Sequence, residues 1–311
     1  MSNSTDRPVI VYVAGWGRSG STLIDRLLGE LPGIESLGEV SVLPVRGVVA
    51  DELCGCGTPF AECPFWSRVG DLLGGWEPEY GTDMDRLRDH VARARHQIPG
   101  GVLVQSQRRR QELIEYASRY HALLDGASRV GMADIVVDSS KHPSVALALL
   151  SDLSADVRIV HIVRDPRGVA YSWSKVKRRT DAGPDSTAEM ERFSAMQSAA
   201  RWLVLNWLTS RLRHRAKYYS IIRYEDLVSD PATTLSNLLQ SLGIEDRGTI
   251  AISETREVEF GVHHTVAGNP SRLSVGKTEI QVDEAWRKNM NRGRMRLISI
   301  LTFSMRRRYG Y

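Results

Sequence analysis

The sequence predicts an α/β fold, a parallel sheet flanked by helices on both faces. Three observations carry that expectation. Apolar, β-branched runs alternate with helical patterns along the chain. The runs are apolar at consecutive positions, as in strands buried on both faces. Polar, chemistry-bearing residues stand directly after several of them, at the strand ends where such sheets hold ligands.

The first strand is Val9–Gly15, VIVYVAG, followed by a Gly/Ser loop and a helical pattern over 21–31. Leu23, Leu27, Leu28 and Leu31 share one face of that helix, and Pro32-Gly33 stops it. Further strands are predicted over 135–137, Val157–Val163 and 218–222, with helices over 144–153, 167–178, 187–213 and 233–242. Residues 51–132 read differently, as Cys/Gly/Pro turns and then charged helices over 83–96 and 105–124. They read as an acceptor-side insertion within a single domain over 1–311.

The 311 residues are 42% hydrophobic and 25% charged, which fits a globular chain and excludes a disordered or fibrous one. A formal net charge of +4 suits an anionic small ligand as well as a nucleic acid and does not decide between them. No apolar run approaches the roughly 18 residues of a membrane span, and the opening MSNSTDRP lacks the pattern of a secretion signal. Three cysteines make no disulfide framework, so the expected compartment is the reducing cytoplasm.

After the first strand, Gly15-Trp16-Gly17-Arg18-Ser19-Gly20-Ser21-Thr22 opens a helix. Glycines let successive N–H groups turn inward, and the helix N-terminus adds its positive dipole end, so the loop is an anion cradle. Its spacing mimics the nucleotide-triphosphatase pattern G-x-x-x-x-G-K-[ST], except that Ser21 stands where the lysine belongs. Triphosphate chemistry is disfavoured without that lysine. The cation here is Arg18, inside the loop.

A second strand end carries Arg164-Asp165-Pro166-Arg167-Gly168-Val169-Ala170-Tyr171-Ser172. Pro166 suits the first turn of a helix. Ser172, two turns beyond Arg164, reaches the same edge only if that helix folds back.

Together these features resemble the 3′-phosphoadenosine-5′-phosphosulfate (PAPS) dependent sulfotransferases, in motif pattern the tyrosylprotein and carbohydrate branch. The resemblance spans roughly residues 9–286. It implies a P-loop-like sulfotransferase fold and transfer of a sulfuryl group from PAPS to a hydroxyl acceptor, leaving 3′,5′-ADP and requiring no metal. GRSGST, residues 17–22, resembles the 5′-phosphosulfate loop, and Arg164 with Ser172 the 3′-phosphate pair. Tyr224, in IIRYEDLV, resembles a tyrosine that packs near the adenine. Lys141, in IVVDSSKHP, resembles the lysine on the bridging oxygen. Asn269 and Arg272, in HHTVAGNPSR, are similar to contacts from a loop that closes over the nucleotide.

Such transfer needs positioning, charge stabilisation and a base. Glu39, in SLGEV, resembles the Gly-Glu segment that carries the base in tyrosylprotein sulfotransferases, and Gly38 permits close backbone approach there. With Lys141 and Arg18 it forms the expected catalytic set. The alternative for Glu39 is a helix-capping carboxylate. His142 is the reserve base, as in the cytosolic hormone-type branch.

Asp138, ending an apolar strand, reads either as a cap or as a Walker B aspartate. The latter favours a rival P-loop kinase. A non-catalytic nucleotide- or nucleic-acid-binding protein is favoured only by the basic balance. Cys54, Cys56 and Cys63 offer three zinc ligands with a fourth to come from elsewhere, and the preferred reading is small buried thiols in a turn. The adjacent His263 and His264 suggest a metal only weakly. Arg108–Arg110 and Arg306–Arg308 read as solvated helix faces. A polar segment over 175–187 has the composition of a mobile lid. The acceptor and the oligomeric state are not legible.

Overall fold

A computed structural model describes residues 7–93, 106–179, 187–253 and 256–311. The chain runs β1 (Val9–Gly15), α1 (Ser21–Gly29), β2 (Ile34–Ser36), α2 (Pro64–Leu73), α3 (Pro78–Val91), α4 (Gln107–Gly131), β3 (Ile135–Lys141) and α5 (Pro143–Leu149). It continues with β4 (Val157–Val163), α6 (Pro166–Ser174), α7 (Ala195–Arg211), β5 (Tyr218–Arg223), α8 (Tyr224–Ser229) and α9 (Pro231–Ser241). A hairpin, β6 (Glu257–Phe260) with β7 (Gly276–Glu279), precedes α10 (Ala285–Asn289), α11 (Arg292–Leu301) and α12 (Phe303–Arg308).

The main sheet has the order β2-β3-β1-β4-β5, and every pairing in it is parallel. Alternation along β1 shows how both faces are covered. Ile10, Tyr12 and Ala14 enter one core with residues of α2 to α5. Val11 and Val13 enter the other, with α1, α8, α9 and the hairpin. All five side chains are at most 2% exposed. Side chains of that size each contribute about 1.5–3 kcal/mol when fully buried, so neither face can be stripped without unfolding the sheet.

The strands predicted at Val9–Gly15 and Val157–Val163 form as expected. β3 runs on to Lys141, four residues past the predicted 135–137, because Asp138 and Ser140 satisfy each other inside the sheet and need no water. β2 and the hairpin carry too few apolar residues to announce themselves. The chain over 51–132 lays α2 and α4 against the sheet face containing Tyr12, filling that core with Trp66, Tyr116 and Tyr120. Arg108 and Arg110 are exposed on α4, and Arg307 and Arg308 on α12, as solvated faces. No helix of the described residues is long and apolar enough to cross a membrane. Of the predicted lid, 180–186 lies outside the described residues.

Candidate active site

The carboxyl ends of β1, β3, β4 and β5 converge on one cleft of about 490 Å³, within the usual size of a small-ligand site. Gly15–Arg18, Gly20–Thr22, Glu39, Lys141, His142, Arg164, Ser172, Tyr224 and Asn269 all line it. The short helix α6 does fold back, so Ser172 and Arg164 share the wall.

The loop after β1 is built to present donors. Gly20 sits at φ 94° with the Tyr224 ring 2.6 Å from where a Cβ would be, so only glycine fits. α1 begins directly after it with no side-chain cap. The Leu23 N–H turns back to the Gly20 carbonyl at 3.0 Å, which leaves those of Ser21 and Thr22 for a ligand in the cleft. Ser21 and Thr22 open that turn. The Thr22 hydroxyl accepts from the Asn269 N–H at 3.4 Å, which joins the loop to the segment opposite.

Arg18 is held at φ 68°, a region that costs a non-glycine residue about 1–3 kcal/mol. Its guanidinium packs over Trp173 at 5.0 Å, and one N–H reaches the Met190 sulfur at 2.9 Å. A thioether is a weak acceptor. Among the described residues, the buried Arg18 Nε and Ser19 Oγ have no hydrogen-bond partner. Burial holds the Arg18 pKa below its ordinary value. Lys177, near Arg18 and Lys175, is lowered too, by burial first and then by those cations. Ser19 itself is fully buried and does not line the cleft.

Arg164 is 6% exposed and fully engaged. It donates to the Arg18 carbonyl at 3.2 Å and the Asp283 carbonyl at 2.9 Å, meets the Asp283 carboxylate at 3.3 Å, and stacks on Tyr224 at 4.4 Å. Burial pushes the Asp283 pKa up, but Arg164 and Lys175 outweigh it and hold the carboxyl below its ordinary value.

Between these poles, Lys141 donates to Glu39, forming an ion pair. Lys141 stands at φ 71°, so both cations on this part of the wall sit in strained backbone. Glu39 precedes a short 3₁₀ turn at Val40–Val42 and makes no capping bond to it. The capping alternative therefore falls away. Its N–H donates to the Val266 carbonyl at 2.7 Å, and Gly38, at φ 75°, lets that backbone close in where a Cβ would lie 2.5 Å from the same oxygen.

His142 lines this cleft and an adjoining cavity of about 460 Å³, shared with Trp16, Val42, Arg88, Val145 and Leu205. The side chain is exposed to both, yet the protein packed around it pulls its pKa down to about 4, with Lys141 adding to the effect.

Two expectations are corrected. Arg272 does not face the cleft. It is 2% exposed, and its guanidinium donates to the carbonyls of Thr265 and Leu53 at 2.8 and 2.6 Å. Inward-facing carbonyls captured the charge. Asp138 is neither a cap nor a metal-facing Walker aspartate. It is fully buried on Tyr120 and Ser140, and burial pushes its pKa up to about 6. Asp283 and Lys177 were not singled out from sequence. The paired lysines of KVK were the available signal for Lys177, and Asp283 gave none.

The thiols of Cys54 and Cys63 are buried in a turn, as the sequence predicts. The sequence did not reveal that His264 joins them, with Cys56, in one cluster whose Sγ and Nδ1 atoms all lie within 4.8 Å.

The molecule is thus a parallel sheet with a glycine loop and cations at its strand ends. A family model described as the sulfotransferase family matches residues 8–247, and the chain belongs to that family. Mouse carbohydrate sulfotransferase 5 is 25% identical over 185 residues, covering 54% of this chain and 45% of that protein. The chain thus spans less than half the length of that curated relative. The sulfotransferase domain of the Synechococcus PCC 7002 olefin synthase superposes with a TM-score of 0.53 at 18% identity, covering 100% of this chain and 98% of the domain. The sulfotransferase domain from the curacin biosynthetic pathway gives 0.46 at 14% identity, over 94% and 96%.

Proposed function

We propose that this chain moves a sulfuryl group from PAPS to the hydroxyl of a small-molecule, sugar or lipid acceptor in the cytoplasm. The observation that carries the reading is Arg18, a half-buried guanidinium whose buried Nε–H has no partner and whose best acceptor is a thioether, set against a helix N-terminus with no side-chain cap. A phosphosulfate answers all of these donors at once.

Gly17, Arg18, Gly20, Ser21 and Thr22 would hold the 5′-phosphosulfate, with Ser19, whose side chain is buried behind the loop, contributing its backbone alone. Arg164 and Ser172 would hold the 3′-phosphate, with Tyr224 and Asn269 along the nucleoside. In the transfer, the acceptor oxygen bonds to sulfur, the bond from sulfur to the phosphate oxygen breaks, and the hydroxyl proton passes to Glu39. Lys141 and Arg18 face the charge left on the phosphate. The adjoining cavity, walled partly by Arg88 of α3 and by Ala92 just after it, is the acceptor chamber. The segment over 51–132 would thereby act in acceptor choice within one domain.

Thermal-shift binding tests the donor reading. A ligand at 100 times its Kd adds about 2.7 kcal/mol of stability, so 3′,5′-ADP should raise Tm where ATP with Mg²⁺ and a DNA oligomer do not. Selective stabilisation by ATP with Mg²⁺ would make the chain a kinase instead, and by DNA a nucleic-acid binder. Labelled PAPS with a panel of sugars, lipids, phenols and natural products then identifies the acceptor.

A further inference from the structure

Outside the cleft, the most ordered cluster of ligating atoms is the one sequence spacing left incomplete. Cys54, Cys56 and Cys63 form a knuckle around Gly55 and the 3₁₀ turn Phe60–Glu62. His264 arrives from a loop 201 residues beyond Cys63.

Four of the six separations among these ligating atoms lie close to the edges of a metal-centred tetrahedron, and all six are within 4.8 Å. Cys63 Sγ lies 3.5 Å from Cys54 Sγ and 3.7 Å from Cys56 Sγ. His264 Nδ1 lies 3.2 Å from Cys63 Sγ and 3.8 Å from Cys54 Sγ. With Zn–S of about 2.3 Å and Zn–N of about 2.0–2.1 Å, a regular tetrahedron has S···S edges of about 3.8 Å and S···N edges of about 3.5 Å. A disulfide needs sulfurs about 2.05 Å apart, and three thiols in one cluster cannot all pair.

The surroundings are those of a structural metal site. Cys54 and Cys63 are at most 1% exposed. The backbone N–H groups of Cys56 and Trp66 point at the sulfurs of Cys54 and Cys63, and Thr58 Oγ1 lies 3.2 Å from Cys56 Sγ. The His264 ring is fixed by stacking on Phe65 at 4.7 Å and 4°, while Trp66 Nε1 donates to the His264 carbonyl at 2.9 Å. Such outer contacts orient ligands and tune their basicity.

We infer that Cys54, Cys56, Cys63 and His264 form a structural zinc site. Four protein ligands close the coordination shell, so the metal has no open position for catalysis. Its task is mechanical. The loop that brings His264 continues through Thr265 and Val266, which accept from the N–H groups of Gly55 and Glu39, to Asn269 in the cleft. Zinc would pin the outer end of the strap whose inner end holds Glu39. The inference does not rest on the donor reading, because its readout is metal content.

The test is elemental analysis of the full-length, untagged protein, expressed with zinc and then gel-filtered. About one zinc per chain is expected, with cobalt substitution giving the visible absorption of a tetrahedral thiolate site. His264→Ala should lose most of the metal, His264→Cys should restore it, and His263→Asn should keep it, since His263 is bonded to Glu30 at 2.7 Å. Wild-type protein carrying only trace zinc after exposure to Zn²⁺, undiminished zinc in His264→Ala, or a disulfide between any two of these cysteines by mass spectrometry would each overturn the site. Should His264→Ala fail to fold, chelation of wild-type zinc decides. A lower Tm restored by added Zn²⁺ supports the site, and an unchanged Tm refutes it.

Discussion

The two cationic poles of the cleft are alike in sequence and finished differently in space. Arg18 follows β1 and Arg164 follows β4, each beside the start of a helix. Arg18 is left with an aromatic face, a thioether and an orphaned N–H. Arg164 has two carbonyls, the Asp283 carboxylate and the Tyr224 ring. The free protein therefore holds one pole open and closes the other with its own anion. A ligand meeting both gains fully from the first and must compete at the second.

The largest effect expected lies between the poles, where Glu39 and Lys141 neutralise each other until a donor arrives. Glu39→Gln keeps the shape and cannot take the acceptor proton. It should lower kcat by roughly 10²–10⁴-fold while leaving 3′,5′-ADP affinity nearly intact, because the loss falls on the transition state alone. His142→Ala should cost far less in kcat. His142 is shared between the cleft and the adjoining cavity, whereas Glu39 is held in the cleft by Lys141. The reverse ranking would make His142 the base and Glu39 an anchor for Lys141.

Next in size is the closed pole itself. Arg164→Ala removes a charge-assisted contact and should weaken 3′,5′-ADP binding by about 1.5–3 kcal/mol, measured by calorimetry, with 5′-AMP changed much less. Equal losses for both ligands would place the role of Arg164 at the 5′ pole, where it already holds the Arg18 carbonyl.

What was legible in the sequence was what lies close together along the chain. The strand, loop and helix from Val9 to Gly29 are one continuous stretch, so their order and spacing could be read along the chain. Arg164 was visible because a strand end fixes a residue at the carboxyl edge of the sheet, and Lys141 through the resemblance of its segment to that of a known family. Arg272 misled because a polar, turn-rich loop says which residues are polar and not which way they face. Its guanidinium turned inward to two buried carbonyls, a stronger demand than a ligand's. The tetrahedral cluster was hidden for a different reason. His264 is brought beside the three cysteines by folding, from a segment 201 residues beyond Cys63, so no local spacing announces it. Asp283 was silent on the same ground.

That carboxylate offers the finest test of the difference between the poles. Asp283 is 36% exposed and 3.3 Å from Arg164, with Lys175 at 3.9 Å, so the pair is partly solvated and worth about 0.2–1 kcal/mol. A phosphate bound at Arg164 must share that charge with Asp283 or displace it. Asp283→Asn keeps the size of the side chain and removes only the competing anion. Binding of 3′,5′-ADP should tighten by about 1.5- to 5-fold, the range that this free energy allows, while 5′-AMP binding stays level. Both should be read at low ionic strength, where a partly exposed charge is least screened. A weaker complex would reverse the assignment. The carboxylate would then be holding the guanidinium in place for the ligand, and the second pole would be preorganised by Asp283 rather than blocked by it.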